Sequence, residues 1–262
     1  MKSYLAVVRG STMLSMVYRF GFLAAAVGNV IYLGVAYYLW KSVYGDATSI
    51  RGLTFDQTFL YVALGSTLFI VLKTYIDWTL FTDIREGIVA IYLVRPIDFQ
   101  LYMLASCSGF FLLSFATLVA PTILLMVFVF KVSIPLSAPL ALLPISLMLA
   151  FVLTFCFDYG VGLSGFYTES IWGISTVKDT LVLVLSGALI PLQFFPNAIR
   201  DILQWLPFQA VYYTPLSLVT LPDQGWQHLT RFAVQLGWVV VLLTATRLYY
   251  RRAVRVLRIA GG

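Results

Sequence analysis

The sequence predicts an all-α integral membrane protein with six transmembrane helices, and three features carry that prediction. The first is residue balance. Of 262 residues, 61% are hydrophobic and 11% charged, whereas a soluble domain carries about 25% charged residues. The chain therefore lacks the polar surface that a water-exposed fold requires, and its mean hydropathy of +0.92 agrees. The second is segmentation: apolar runs close to the ~20 residues of a helical crossing recur between short polar breaks. The third is the placement of Lys and Arg. Lys2, Arg9, Arg19, Arg85, Arg95, Lys178, Arg247, Arg251, Arg252, Arg255 and Arg258 fall on the side that holds both termini, against Lys41, Arg51, Lys131, Arg200 and Arg231 on the other. That excess places both ends in the cytoplasm. The net charge of +6 would suggest nucleic acid in a soluble protein. Here the basic residues flank apolar spans, so orientation and anionic lipid explain them, and no nucleic-acid partner is expected.

Each element follows from its residues. Residues 1–19 mix apolar and basic positions and predict an interfacial helix. Residues 20–44 form the first span, with Tyr32, Tyr37, Tyr38 and Trp40 toward its far end as an aromatic belt. A polar outer loop leads to the second span, 58–81, which carries Lys73 and Asp77 four residues apart on one face. They read either as a structural ion pair or as a gate or substrate contact.

Residues 83–96 predict a short amphipathic helix lying flat on the cytoplasmic surface. Asp83 and Glu86 have capping-box spacing. Ile84, Ile88, Ile91 and Tyr92 share one side, with Asp83, Glu86, Gly87 and Ala90 opposite. Pro96 stops the helix and restrains Arg95 before it. The third span, 101–130, exceeds the hydrocarbon thickness and must tilt or project. The fourth, 139–166, holds Asp158, which is either a functional carboxylate or a hydrated one near the interface.

The fifth span, 176–193, is short and broken at Pro191. Residues 194–227 are too apolar for a free loop. Ile199, Ile202, Leu203 and Leu206 make one helical face, and Phe195 and Trp205 lie among Pro196, Pro207, Pro215 and Pro222. A helix dipping into the outer leaflet and packed against protein satisfies that pattern. The sixth span is 228–249, followed by a basic cytoplasmic tail, 250–262. No cleavable signal, lipidation motif, internal repeat, soluble domain or long linker is evident, so residues 1–262 read as one transmembrane domain.

Several chemistries are not expected. No phosphate-binding loop G-x-x-x-x-G-K-[ST] occurs, so the chain is not expected to hold ATP that way or to be an enzyme with its own ATPase site. Cys107 and Cys156 fall in apolar runs as small buried hydrophobes, and a sole histidine predicts no metal centre. Ser164, within Gly162-Leu163-Ser164-Gly165, together with His228 resembles the serine and histidine of rhomboid proteases. The topology separates them by about 30 Å, too far for a nucleophile and its base. No catalytic residue is expected.

The stretch IREGIVAIYLVRPID, between spans two and three, resembles the coupling helix of ABC-2 type permeases. SGALIPLQFFPNAIRDILQWLPFQAVYYTP is similar to the Pro-rich extracellular re-entrant hairpin between spans five and six of that family. Within the group the likeness is to small six-span bacterial permeases formerly known as a domain of unknown function, some linked to drug or viologen export. The order of elements matches along essentially the whole chain.

The resemblance implies a pair of permease subunits, identical or related, in a bacterial inner membrane, each docked on a separate ATP-binding subunit that holds ATP and Mg. Asp83, Arg85, Glu86 and Gly87 would enter a cleft of that subunit, and Arg95 and Pro96 would fix the helix exit. The alternative for these residues is a solvated loop with ordinary interface charges. Pro191, Phe195, Pro196, Trp205 and Pro207 would shape the hairpin. The rivals are an ion-coupled secondary carrier or channel using Lys73, Asp77 and Asp158, and an integral-membrane enzyme. The aromatic and aliphatic composition points to an amphipathic or lipid-like cargo.

Overall fold

The structure is a computed structural model that describes residues 2–17, 19–94, 96–134, 138–221 and 225–256. Its long elements are α1 (Lys2–Val17), α2 (Arg19–Tyr44), α3 (Phe55–Val71), α4 (Ile76–Arg85), α5 (Val89–Leu93), α6 (Phe99–Ser114), α7 (Ala120–Phe128), α8 (Leu143–Leu163), α9 (Trp172–Leu185), α10 (Asn197–Leu203), α11 (Tyr213–Thr220) and α12 (Gly225–Ala253). A π-helical turn, Phe115–Val119, joins α6 to α7 without a break. Among the described residues there is no strand, only an isolated bridge between Ile50 and Leu53. Among the described residues, five stretches are long and apolar enough to cross a membrane: Phe20–Tyr44, Phe55–Arg85, Phe99–Phe128, Leu140–Phe166 and Gly225–Ala253. The chain is thus a multi-pass membrane protein.

α3 begins at a capping box. Thr54 accepts from the Gln57 amide, and the Gln57 side chain accepts from the Thr54 amide, satisfying two donors that a helix start leaves unpaired. The helix stops at Leu72, and Tyr75 takes a left-handed conformation (φ 52°) before α4 resumes. The predicted second span is therefore two helices joined by a kinked turn at 72–75.

The predicted flat helix starting at Asp83 is not a separate helix. Residues through Arg85 belong to α4, and the Glu86 amide donates to Thr82 O at 2.9 Å, continuing the helical ladder past Asp83. Asp83 and Glu86 have capping-box spacing only because i and i+3 also share one helix face. The interruption comes at Gly87, whose φ of +74° is easy only for glycine. The short α5 follows. Arg95 and the end of the basic tail, 257–262, lie outside the described residues. Asp98 then caps α6 by accepting from the Leu101 amide at 3.0 Å.

Aromatic contacts register the helices. Phe22 of α2 meets Phe110 of α6 (5.3 Å between ring centroids), Tyr75 meets the same Phe110 (6.4 Å), and Phe111 stacks on Phe151 of α8 (4.4 Å). These rings mark one level across the bundle. Phe99 lies about 16 Å beyond that level at 1.5 Å per residue, so α6 overhangs the start of α2. α1 packs alongside this overhang: the Asp98 amide donates to the Tyr4 hydroxyl at 3.0 Å, and Ser11 sits against Gly109. The expected interfacial helix thus runs along α6 from Asp98 to Gly109. Its Ser11 and Thr12 hydroxyls fold back onto Val8 O and permit close approach.

α9 has 14 residues, about 21 Å of helix, which is short of the ~30 Å hydrocarbon core. It starts at Trp172 rather than Thr176 and ends at Leu185, with the positive-φ Gly187 (φ +77°) two residues on and before Pro191. The following segment departs from expectation. On the predicted apolar face Leu203 is buried and Leu206 packs against the core, but Ile199 and Ile202 are 47% and 64% exposed, so protein covers that face only in part. The buried piece is instead α11, every residue of which is buried.

α11 tolerates burial because it is apolar or hydroxyl-bearing all round and its hydroxyls are satisfied locally. Ser217 donates to Thr214 O, Thr220 to Leu216 O and Thr214 to Gln209 Oε1. Phe208 stacks on Phe157 (5.5 Å) and Tyr212 meets Phe69 (6.4 Å). Both Phe157 and Phe69 lie about 21 Å along their helices from Leu143 and Phe55. The chain therefore turns deep in the bundle at 208–212. Buried Gln235 of α12 fastens this turn: its Nε2 donates to Ala210 O (2.8 Å) and Ser146 O (2.9 Å), and its Oε1 accepts from the Ser146 hydroxyl (2.8 Å).

Candidate functional site

Lys73, Asp77 and Asp158, each singled out because an ionised group among apolar residues is costly, come together in one network. Lys73 and Asp77 do not pair with each other. The turn at 72–75 breaks their shared helix face and sends Lys73 to Asp179 of α9, at 2.5 Å. Asp77, on the first turn of α4, accepts from Lys178 Nζ at 3.1 Å and from the Ser175 hydroxyl at 2.6 Å. Asp158 of α8 bonds the same Lys178 Nζ and accepts from the Thr74 hydroxyl at 2.5 Å. Lys178 also reaches Asp179, at 2.9 Å.

Lys178 is the centre of this network, and the sequence reading assigned it to the inner end of a later-starting span. Starting α9 at Trp172 puts Lys178 in its second turn, with a side chain only 10% exposed, against 2% for Asp77 and 4% for Asp158. A charge pair with a following acid inside an apolar periodic stretch was the available signal. Asp158 lies about 10 Å beyond Phe151 along α8, so the network sits on the same side of the ring level as the overhang of α6. The space enclosed between Lys73, Asp158, Lys178 and Tyr212 is about 20 Å³, room for about one water. The geometry is a closed lock in which two ammonium groups bind three carboxylates, and it joins the 72–75 turn, α4, α8 and α9.

α4 is seated on α8 without clearance. A Cβ on Gly162 would fall 3.0 Å from Leu80 Cβ and 3.1 Å from Asp77 O, so any larger residue would push α4 off α8 by a few tenths of an ångström. At the free end of α4, Arg85, Glu86 and Gly87 are exposed while Val89 is fully buried, which anchors the far side of the turn. Asp83 is half-buried and Pro96 is exposed. The exposed turn and the buried network are thus opposite ends of one short helix clamped to α8.

Among the residues predicted for the proline-rich segment, Pro191 and Pro207 are buried and Pro196 is exposed ahead of α10. Phe195 is half-buried, and Trp205 is 60% exposed while its carbonyl accepts from the Trp238 indole at 2.8 Å.

The serine–histidine arrangement is absent. Ser164 Oγ donates to Val161 O at 2.6 Å and His228 Nε2 bonds Leu221 O at 2.7 Å. His228 is two turns before Gln235, which bonds Ser146 at the other end of α8 from Ser164, about 27 Å away along that helix. Cys107 and Cys156 are free and buried.

A family profile described as ABC-2 family transporter protein matches residues 30–261. Comparison with curated proteins returned no match.

Proposed function

Because the chain belongs to the ABC-2 transporter family, a family of membrane transport components, we propose that it is the permease subunit of an ATP-driven exporter in a bacterial inner membrane. Residues 1–262 act as one transmembrane domain. Two permease subunits form the passage, and ATP and Mg are held by separate ATP-binding subunits. Both termini face the cytoplasm. α9 enters from that side, and residues 186–221 serve as a re-entrant hairpin from the outside, so that the two together make the fifth of six crossings.

The observation that carries this reading is the continuity from the exposed Arg85–Gly87 turn, through α4, to the Asp77–Lys178–Asp158 network. Asp83, Arg85, Glu86 and Gly87 dock on the ATP-binding subunit, with Arg95 and Pro96 setting the exit of the segment. A push on that turn swings α4 about the left-handed Tyr75. Since Gly162 leaves α4 and α8 no play, α8 follows, and Lys178 carries the motion to α9. Packed elements shift between discrete arrangements rather than deforming continuously. The mutual pairing of the network and the small space around it favour this mechanical role over an ion path through Lys73, Asp77 and Asp158.

The test is Glu86→Lys in the complex with the ATP-binding subunit. Charge reversal at the docking turn is expected to abolish co-purification and the stimulation of ATP hydrolysis by the permease, with insertion and thermal stability kept. Full stimulation in that variant would remove Glu86 from the docking contact.

A further inference from the structure

At the end of the bundle away from the charge network, residues of α10, the turn after it, the start of α11 and the first turns of α12 surround a cavity of about 410 Å³. That falls in the ~300–1,000 Å³ range of small-molecule sites. Two guanidinium groups, of Arg200 and Arg231, and one carboxylate, of Asp201, line it. Arg231 Nη2 donates to Gln227 Oε1 at 3.2 Å, and the guanidinium lies 4.9 Å from the centre of the Tyr213 ring. Its Nη1 is buried with no acceptor, and among the described residues no carboxylate pairs with Arg231. Among the described residues Arg200 pairs only with Asp201, at a loose 3.9 Å, and the Asp201 side chain is 64% exposed.

Gln193 adds to the imbalance. Its Nε2 donates to the Tyr213 hydroxyl at 2.9 Å, while its Oε1 is buried without a partner. Turned end for end, the amide keeps a bond to Tyr213 by accepting from the phenol and frees its NH₂ to donate. The cavity thus holds more positive charge and more donors than the protein uses. Leaving a buried charged donor unpaired is costly, which an incoming oxyanion relieves.

The lining Trp205 is 60% exposed, and Ile202 and Trp226, the chain neighbours of the lining Asp201 and Gln227, are 64% and 80% exposed, the pattern of a membrane–water interface. We infer that this cavity binds a phosphate oxyanion, held by the Arg200 and Arg231 guanidinium groups. The exposed Trp205, with Trp226 and Ile202 next in the chain to lining residues, suits the headgroup of an anionic amphiphile, and free phosphate carries the same oxyanion. The site is independent of how transport is driven, since it lies at the opposite end from the docking turn.

The test uses the purified full-length protein in dodecyl maltoside and titration calorimetry with three probes: dihexanoyl-phosphatidylglycerol, inorganic phosphate and uncharged dihexanoylglycerol. Saturable binding of the phosphatidylglycerol, with none of the uncharged lipid, is expected. Arg231→Gln should weaken it at least tenfold. So should Thr230→Glu, which puts a carboxylate on an exposed cavity-lining position and decides the matter if Arg231→Gln does not purify folded. Lipid binding more than tenfold tighter than phosphate assigns the site to a headgroup; phosphate binding within tenfold assigns it to the free ion. No saturable binding of either anion, equal binding of the uncharged lipid, or unchanged affinity in the folded variants would overturn the inference.

Discussion

Replacing Lys178 by Met removes the one cation that holds Asp77 and Asp158 in place. Both carboxylates are nearly inaccessible, 2% and 4% exposed at the side chain, so water cannot take over. At 3.1 Å from Asp77 the attraction is about 5 kcal/mol at an effective dielectric near 20. Desolvation of the lysine offsets part of that, and removing one member of a buried pair costs about 3–5 kcal/mol. At about 2–4 °C per kcal/mol for a chain of this size, the midpoint of thermal unfolding should fall by roughly 6–20 °C. Tryptophan emission during heating in detergent reads this directly.

Neutralising the stranded carboxylates supplies the control. Lys178→Met combined with Asp77→Asn and Asp158→Asn should recover most of the loss, because Ser175 and Thr74 still donate to these positions. By contrast Lys73→Met should cost about 1 kcal/mol or less, since Lys73 and Asp179 are 23% and 39% exposed. A Lys178→Met protein melting within about 2 °C of the parent would refute the buried lock. So would a triple variant no more stable than the single one.

Gln235→Leu should destabilise by about 2–3 kcal/mol, because Ala210 O and Ser146 O lose their donor inside the bundle; an unchanged unfolding midpoint would show that the 208–212 turn is held by other means. Gly162→Val forces α4 off α8 and should abolish the ATPase stimulation measured in the complex. Gly160→Val, whose added carbon meets only Thr246 Cγ2 at 3.7 Å, should keep it. Ser164→Ala loses only a bond to its own helix and should leave both stability and stimulated hydrolysis at parental levels.

The long apolar spans were legible because membrane crossing imposes a coarse, additive signal that survives errors of a few residues. Finer features failed where one local pattern serves two structures. Thr54–Gln57 and Asp83–Glu86 have the same spacing, yet only the first caps a helix. Thr54 follows the Ile50–Leu53 turn and is extended, whereas Asp83 is reached in mid-helix. Lys73, Asp77 and Asp158 were each flagged by the cost of an ionised group among apolar residues. Their actual partners were not, because pairing across four elements depends on the kink at Tyr75 and on where α9 begins. Arg200 and Arg231 were read only as orientation signals. Their shared cavity exists because the chain just after α10 is tied to α12 by the Trp238 indole on Trp205 O, a tertiary arrangement that leaves no periodicity in the chain. α11 was hidden for the opposite reason: its hydroxyls look polar in sequence, yet once buried Ser217 and Thr220 bond their own helix carbonyls and Thr214 bonds the nearby Gln209 side chain.

The account stands on the Arg85–Gly87 turn being the point where a separate ATP-binding subunit pushes. Labelling of a Glu86→Cys protein with a membrane-impermeant maleimide tests it most directly, with Cys107 and Cys156 buried and so silent. In inverted membrane vesicles the introduced thiol should label rapidly when the permease is expressed alone and be protected when the ATP-binding subunit is present, while in intact cells it should stay unlabelled. Labelling from outside intact cells, or equal labelling in vesicles with and without the ATP-binding subunit, would contradict it.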